Sequence, residues 1–351
     1  MTKPNVLFLY TRASGYFVAC ATRFAQTYGY VVHIVRHDPD PLAPFQFVDS
    51  PFVRFHNRSS FEGGSLMEFA QSLDPKAIYI SGWVDKNYLQ VGKTFRRKGI
   101  PIICGLDNQW FGSLKQRLAS WISPFYLKPI FSHIWAAGTY QYEFAHRMGY
   151  ERHEILRGVY SADVEKFAAT PLAYPNGFPH RFVYVGRLVK VKGIQHFSDA
   201  IRQLNAKHTH DWEFLIFGKG PEEKTFEPLE PNVKMIGFVQ PDELAKYAQE
   251  GGVFVLPSTF EPWGVVVHEF AAAGFPVLVS DACGASTAFL RNGYNGYAFR
   301  PNHTPSLLSA FEKIIHSTDD ALIQMGHRSR ELARSITPDT WAATLFQTLN
   351  S

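Results

Sequence analysis

Short apolar runs alternate with helix-length segments along this chain, and they do so in two series separated by a stretch rich in proline and glycine. In the first series NVLFLY, YVVHIVRH, AIYISG, IPIICG and SHIWAAG read as buried strands. SGYFVACATRFAQTYG, KNYLQVGKTFRRKG and TYQYEFAHRMG read as the helices between them. The second series runs through RFVYVGRL, WEFLIFGKG, VKMIGFV, GVFVLPS and FPVLVSD and ends in helices that include SLLSAFEKIIHS and TPDTWAATLFQTL. Strands joined by helical crossovers pair in parallel, and a parallel sheet needs cover on both faces. GVYSADVEKFAATPLAYPNGFPH, with little periodicity, has the composition of a linker near residues 160–180. The sequence therefore predicts two Rossmann-like α/β domains, each with a parallel sheet, and a cleft between them of the kind that holds ligands.

Composition supports this size and class. At 351 residues the chain exceeds one domain of roughly 150 residues, and an apolar content of 46% can fill two cores. Cys20, Cys104 and Cys283 are scattered and lack metal-ligand spacing, so they read as buried thiols in a reducing compartment. The start goes straight into a strand, without a legible signal peptide, and no apolar run nears the roughly 20 residues of a membrane span. These features point to the cytoplasm.

Charge is uneven. Residues 1–165 hold 18 Lys and Arg against 13 Asp and Glu, and the remainder 17 against 18. The basic surplus gathers at Lys93, Arg96, Arg97 and Lys98 and again at Lys115, Arg117 and Lys128. The second group is interleaved with Trp121, Phe125 and Tyr126 in KQRLASWISPFYLKPIF. Such a segment either docks on an anionic membrane, peripherally at its inner face, or on an anionic acceptor, or else forms a solvated helix face over a packed aromatic core. It carries no nucleic-acid motif.

The segment PSTFEPWGVVVHEFAAAGFPVLVSD sets two glutamates, Glu261 and Glu269, around a Pro-Trp-Gly turn between two strands. Pro262 disfavours helix at Glu261 and suits a first helical turn, so Glu261 is expected extended at a helix mouth, with Glu269 about a turn and a half inside. The amides near Trp263, Gly264 and Val265 would then form an anion site beside a carboxylate. Two solvated helix charges are the alternative reading. Gly186 and Arg187 leave one strand with Lys192 a short loop away, either a diphosphate clamp or two exposed loop cations. Gly218 and Gly220 follow a strand and allow close backbone approach to a ligand, and Gly237, Phe238 and Val239 follow another, where main-chain groups could meet a base edge. All lie at the carboxyl ends of strands in one domain, where open α/β sheets bind ligands.

In this order VGRLVKVKG, FGKGPEE, VKMIGFV and EPWGVVVHEFAAAGFPVLVSD resemble the family-4 retaining glycosyltransferases of GT-B fold, with their Glu-seven residues-Glu motif. The resemblance is clear over residues 182–300 and rests mainly on architecture before residue 150. It implies an acceptor-binding domain over 1–165, a donor-binding domain over 166–335, and a last helix, 336–351, crossing back to the first domain. It implies that Arg187 and Lys192 neutralise a donor diphosphate, Glu261 holds sugar hydroxyls and Glu269 the ribose diol. Gly264 and Val265 would complete the sugar–phosphate grip, residues 237–239 would contact the base, and Gly15 would let the first loop approach the diphosphate. A metal-independent transfer without cofactor is implied too: a hexosyl unit passes from a nucleoside-diphosphate sugar, a UDP-sugar, to a saccharide or lipid-linked acceptor in surface polysaccharide or glycolipid synthesis. Another GT-B enzyme, such as a nucleotide-sugar epimerase or a phosphorylase, and a non-catalytic sugar-binding protein are the rival readings.

Two departures stand out. Where many relatives carry a histidine after the strand IPIICG, this chain has Asp107, Asn108, Gln109 and Trp110. Asp107 is a candidate for a sugar or acceptor contact, or else a helix N-cap. The glycine-rich first loop is reduced to Ser14-Gly15-Tyr16. His268, beside Glu269, reads as structural. Asp38-Pro39-Asp40 has the letters of a metal-binding DxD but sits in a proline-rich turn, and no other metal cluster is legible.

Overall fold

The computed structural model describes residues 3–11, 14–37 and 48–350; the Asp38-Pro39-Asp40 turn lies outside them. The chain forms two compact units, residues 1–161 with 336–351, and residues 162–335. Each is an α/β unit built on one parallel sheet.

The first sheet comprises β1 (Asn5–Tyr10), β2 (Val31–Arg36), β3 (Val53–Asn57), β4 (Ile78–Ile80), β5 (Ile102–Leu106), β6 (His133–Ala136) and β7 (Ile155–Arg157). Their order is β3-β2-β1-β4-β5-β6-β7. The chain leaves β1 in one direction and resumes on its other side with β4, which makes β1/β4 the switch point. Helices α1 (Gly15–Tyr28), α2 (Ser65–Leu73), α3 (Lys86–Arg96), α4 (Leu114–Tyr126) and α5 (Thr139–Arg147) accompany the strands. The five strands expected from apolar runs are all present. The edge strands β3 and β7 were not expected, because VRFHN and ILR carry polar residues on their exposed sides.

The second unit opens with the short helix α6 (Val164–Phe167). Its sheet has the order β10-β9-β8-β11-β12-β13, formed by β8 (Arg181–Val185), β9 (Glu213–Phe217), β10 (Val233–Gly237), β11 (Val253–Leu256), β12 (Val277–Ser280) and β13 (Gly296–Phe299). Here β8 and β11 flank the switch point. All four residues of β11 and of β12 are buried, as strands covered on both faces must be. The covering helices are α7 (Ile194–Lys207), α8 (Pro241–Ala248), α9 (Val265–Ala273), α10 (Ser286–Phe289), α11 (Thr304–Ile315) and α12 (Asp319–Ala333).

The stretch expected to be a linker is ordered packing instead. Asp163 caps α6 by accepting from the Lys166 amide, and α6 lies against α9. Leu172 fills the space beside Gly274, and the Arg330 guanidinium donates to the Thr170 carbonyl. The segment lacks periodicity because it packs as single anchors rather than as a helix or strand face.

The last helix, α13 (Pro338–Leu349), belongs to the first unit. Thr337 caps it, accepting from the Thr340 amide at 3.1 Å, and Pro338 starts it where a missing N–H costs nothing. Trp341 is its anchor: buried, stacked on Trp135 at 4.7 Å, edge-on to Phe17, and donating Nε1–H to the Val159 carbonyl at 2.9 Å. Tyr28 of α1 stacks on Phe346 at 4.0 Å. None of the helices among the described residues is long and apolar enough to cross a membrane. Truncating a buried tryptophan leaves a large cavity, and here also an unpaired carbonyl. Trp341→Ala should therefore destabilise the first unit by about 3–5 kcal/mol, read as a drop in the denaturation midpoint of near-ultraviolet circular dichroism.

Candidate functional site

The site residues of the second unit gather around its β8/β11 switch point. Val185 ends β8, and the chain then runs edge to edge with the loop after β9. The Gly186 amide donates to the Phe217 carbonyl at 3.0 Å, and the Leu188 amide to the Lys219 carbonyl at 2.9 Å. A Cβ on Gly218 would stand 1.9 Å from the Gly186 oxygen, and one on Gly220 2.2 Å from the Leu188 oxygen. These glycines are required by the close approach of two backbones, a reason the sequence reading did not supply. The Tyr184 hydroxyl, buried below, donates to the Arg187 carbonyl at 3.0 Å. Burial pushes this phenol up, the nearby Glu261 carboxylate adds to that, and the Arg187 cation opposes it.

Lys192 ends a single helical turn, and Gly193 behind it has a φ of 69°. A Cβ on Gly193 would lie 2.0 Å from the Pro257 carbonyl oxygen. From the other side the Thr259 amide donates to the Val191 carbonyl at 2.8 Å. The lysine loop is thus tied to the loop that follows β11, which carries Glu261. The Lys192 ammonium and the Glu261 carboxylate form an ion pair, each side chain only 15% exposed. The Ser258 hydroxyl donates to the same carboxylate at 3.4 Å. The two charges that the sequence assigns to different parts of a ligand are each other's partners here.

Glu261 is extended, but the helix mouth is not where Pro262 suggests. Helix α9 begins at Val265, and Gly264 precedes it in the left-handed conformation at φ 91°. Residues 261–263 instead continue as a strand-like segment. The Glu261 amide donates to the Ala282 carbonyl at 3.1 Å, and the Gly284 amide returns to the Glu261 carbonyl at 3.0 Å. The Trp263 carbonyl accepts from the Ala285 amide and the Cys283 thiol. Pairing with residues 282–285 outweighs the helix-starting preference of Pro262, and Gly264 makes the turn. A helix start leaves its first amides without intrahelical partners; here the Val267 amide turns back to the Gly264 carbonyl at 3.0 Å, ahead of which stand the amides of Val265 and Val266. The Trp263 ring is buried, and its Nε1 has no hydrogen-bond partner among the described residues. Burial, with Glu261 nearby, pushes the Cys283 thiol up to about 12.

Glu269 falls just over one turn into α9 and is half-buried. Burial pushes its carboxyl up to about 7, Asp163 adds to the rise, and Lys166 opposes it. Both neighbours lie in the segment read as linker, so the sequence reading missed them. The signal available was Asp163 three residues before Lys166, a helix-cap spacing. His268 is buried and stacked on Phe289 at 4.0 Å. The Ala162 amide donates to its Nδ1 at 3.0 Å, which puts the ring proton on Nε2, facing the Ala333 carbonyl at 2.8 Å. At β10, Gly237 has φ 85° and its carbonyl accepts from the Gly218 amide at 2.8 Å. Phe238 and Val239, both half-buried, follow.

In the first unit Gly15 is the first residue of α1. Asp107 follows β5, accepts from the Tyr160 hydroxyl at 3.3 Å, and its carbonyl accepts from Gln141 at 2.8 Å. Among the described helices it is the N-cap of none, and α4, the next along the chain, is capped by Ser113, which accepts from the Gln116 amide. That corrects one of the two readings of Asp107. Asn108 is exposed. Burial pushes the Tyr10, Tyr79 and Tyr160 phenols well above their ordinary range, and Asp107 raises each further. Among the described residues no group of three or more His, Cys, Asp or Glu is placed to hold a metal ion.

Residues 176–332 match the family model described as glycosyl transferases group 1. An uncharacterised glycosyltransferase of Methanocaldococcus jannaschii is 30% identical over 139 residues, which is 38% of this chain and 35% of that protein. A putative colanic acid biosynthesis glycosyltransferase, WcaL, of Salmonella typhimurium is 28% identical over 199 residues, 52% of this chain and 48% of the relative. The matches thus span between about a third and a half of these curated relatives' own lengths. Anabaena HepE, solved in complex with UDP and glucose, shares the fold at a TM-score of 0.72 with 16% identity, covering 99% of each chain. The two-unit α/β chain thus shares the GT-B fold of that neighbour, and residues 176–332, a little under half of its length, match the glycosyl transferases group 1 model.

Proposed function

We propose that the chain is a retaining hexosyltransferase of the family-4 kind, moving a sugar from a UDP-sugar to a saccharide or lipid-linked acceptor in surface polysaccharide or glycolipid synthesis. The observation that carries this reading is the meeting of Lys192, Glu261 and Arg187 around one switch point, beside the start of α9. The neighbour solved with UDP and glucose supports the donor class, and the colanic acid relative supports the acceptor class. Arg187 and Lys192 would neutralise the diphosphate, and the amides at Gly264 and Val265 would complete that grip. Glu261 would hold sugar hydroxyls and Glu269 the ribose diol, with residues 237–239 at the base. Gly186 and Gly218 fix the loops that carry these contacts. Gly15, Asp107 and Asn108 are proposed for contacts made by the first unit.

The Lys192–Glu261 ion pair gives this reading a sequence of events. A diphosphate competes for the Lys192 ammonium, and as the lysine turns to it the Glu261 carboxylate is released to accept from sugar hydroxyls. As the glycosidic bond breaks, negative charge grows on the leaving phosphate and positive charge on the sugar ring. Fixed cations and a helix N-terminus stabilise the first. Attack from the face of the departing phosphate retains the anomeric configuration, with Glu261 positioning the sugar rather than forming a covalent intermediate with it.

Lys192→Ala and Glu261→Ala should each lower kcat by about 10²–10³ and also lower the thermal midpoint, because each leaves the other charge unpaired in a largely buried place; far-ultraviolet circular dichroism at the assay temperature checks that the fold is retained. The assay is transfer from UDP-hexose to an acceptor panel, with the product anomer read by nuclear magnetic resonance. An inverted product would overturn the retaining mechanism, and turnover near wild type in either variant would overturn the site. Hydroxyls donate to an ionised carboxylate, so donor affinity should rise as pH increases from 6 to 8 through the Glu269 value of about 7. Comparing wild type with Glu269→Gln by calorimetric UDP titration isolates this dependence from that of the phosphate, and equal pH slopes would remove Glu269 from the ribose. Stability follows the opposite sign. The native carboxyl holds its proton more tightly than the unfolded one, so its contribution is complete below the ordinary glutamate value of 4.5 and is lost as pH rises through about 7. Glu269→Gln should flatten that fall in denaturation midpoint.

A further inference from the structure

Helix α4 of the first unit is amphipathic the wrong way round. Only Ser120 and Ser123 of its thirteen residues are buried. Leu114, Leu118, Trp121 and Phe125 recur at helical spacing along one stripe, and they are 84%, 57%, 74% and 80% exposed. The sequence left open whether these aromatics pack inward beneath a solvated face; they do not. Nor is the helix loosely set. Ser113 caps it, the Gln116 side chain donates to the Gln109 carbonyl at 2.7 Å and accepts from the Phe111 amide at 2.8 Å, and Arg117 donates to the Gly112 carbonyl at 3.0 Å. Polar contacts fix the start of the helix while its apolar side faces out.

Charge says what covers that side. At 100° per residue Lys115 and Arg117 flank the stripe, one on each edge, and both are exposed. No acidic residue occurs between Asp107 and Glu143. At the carboxyl end Lys128 pairs with Glu154 at 2.9 Å, and the exposed Arg96 adds positive charge near Tyr150. A stripe of Leu, Trp and Phe rimmed by cations suits an anionic lipid surface: the aromatics enter the acyl boundary and the cations meet headgroup phosphates. A second copy of the chain fits poorly, since two such faces would set like charges against each other.

We propose that α4 is a membrane-docking helix that lies in the plane of an anionic bilayer through Leu114, Leu118, Trp121 and Phe125. The proposal is independent of the donor-site reading. It is tested by sedimenting the full chain with vesicles of phosphatidylcholine alone and with vesicles containing about a third phosphatidylglycerol. The wild type should bind the mixed vesicles and lose binding in high salt. Trp121→Ser with Phe125→Ser should weaken binding on the order of tenfold or more, and Lys115→Glu with Arg117→Glu should abolish the preference for anionic lipid. These side chains are exposed, so unchanged thermal unfolding checks that both variants fold. Absence of wild-type binding to the mixed vesicles overturns the proposal, as does wild-type binding by both variants. So does a dimer, seen by sedimentation velocity, that the aromatic variant dissolves while vesicles bind neither protein.

Discussion

A lysine and a glutamate, both largely withdrawn from water, pair where the second sheet reverses its strand order, and the loops around them are built to keep them together. Removing one partner of such a pair leaves a poorly solvated charge, which costs far more than the pair contributes. Their meeting depends on backbone contacts that no side chain mediates. Gly193 lies against the Pro257 carbonyl, Thr259 bonds to Val191, and the chain at Glu261 pairs with residues 282–284. Lys192 and Glu261 are 69 positions apart in sequence, yet each sits on a loop held to its neighbour by main-chain hydrogen bonds. A site so held has little to reorganise except the two side chains themselves.

Glu269 contrasts with this pair. Glu261 has a cation at hydrogen-bond range, whereas Glu269 has Lys166 as a weaker counterweight, outdone by burial and Asp163. One glutamate is thereby matched to a charged partner and the other left near the midpoint of its titration at neutral pH. For the proposed ligand this division is coherent. A diphosphate can exchange with Glu261 for Lys192, charge for charge, while neutral hydroxyls can supply Glu269 with the hydrogen bonds its surroundings do not.

The interior of both sheets was legible from sequence because its strands, such as NVLFLY and GVFVLPS, are apolar on both faces and mark themselves without reference to neighbours. Of the four edge strands only β10, within VKMIGFV, was marked this way: VRFHN, ILR and GYAF are short, partly polar or glycine-bearing, and their identity comes from the strand they pair with. The site followed the same division. Arg187 and Glu261 lie past the ends of the interior strands β8 and β11, whose apolar runs are plain in the sequence, and Gly237 ends the edge strand β10. The helix start was misplaced by three residues because tertiary pairing with the 282–285 segment overrode the local preference of Pro262. Asp163 and Lys166 were overlooked because a four-residue helix has too few residues to show a period.

Helix α4 shows why periodicity alone does not say which side is inside. Its stripe of Leu114, Leu118, Trp121 and Phe125 has the spacing of a core-facing helix, and the hydrophobic effect acting on an isolated domain would turn that stripe inward. The first unit has no need of it. Its core is already closed by buried residues of β4, β5, α3 and the segment after α4, including Ile80, Phe95, Ile102 and Ile130. Gly92 on α3 leaves no room: a Cβ there would already lie 2.9 Å from Ile80 and 3.2 Å from Ile130. Of α4 itself only Ser120 and Ser123 are buried; Gln116 and Arg117 hold its start, Pro124 lies beside Gly149, and the Leu114, Leu118, Trp121 and Phe125 stripe stays exposed.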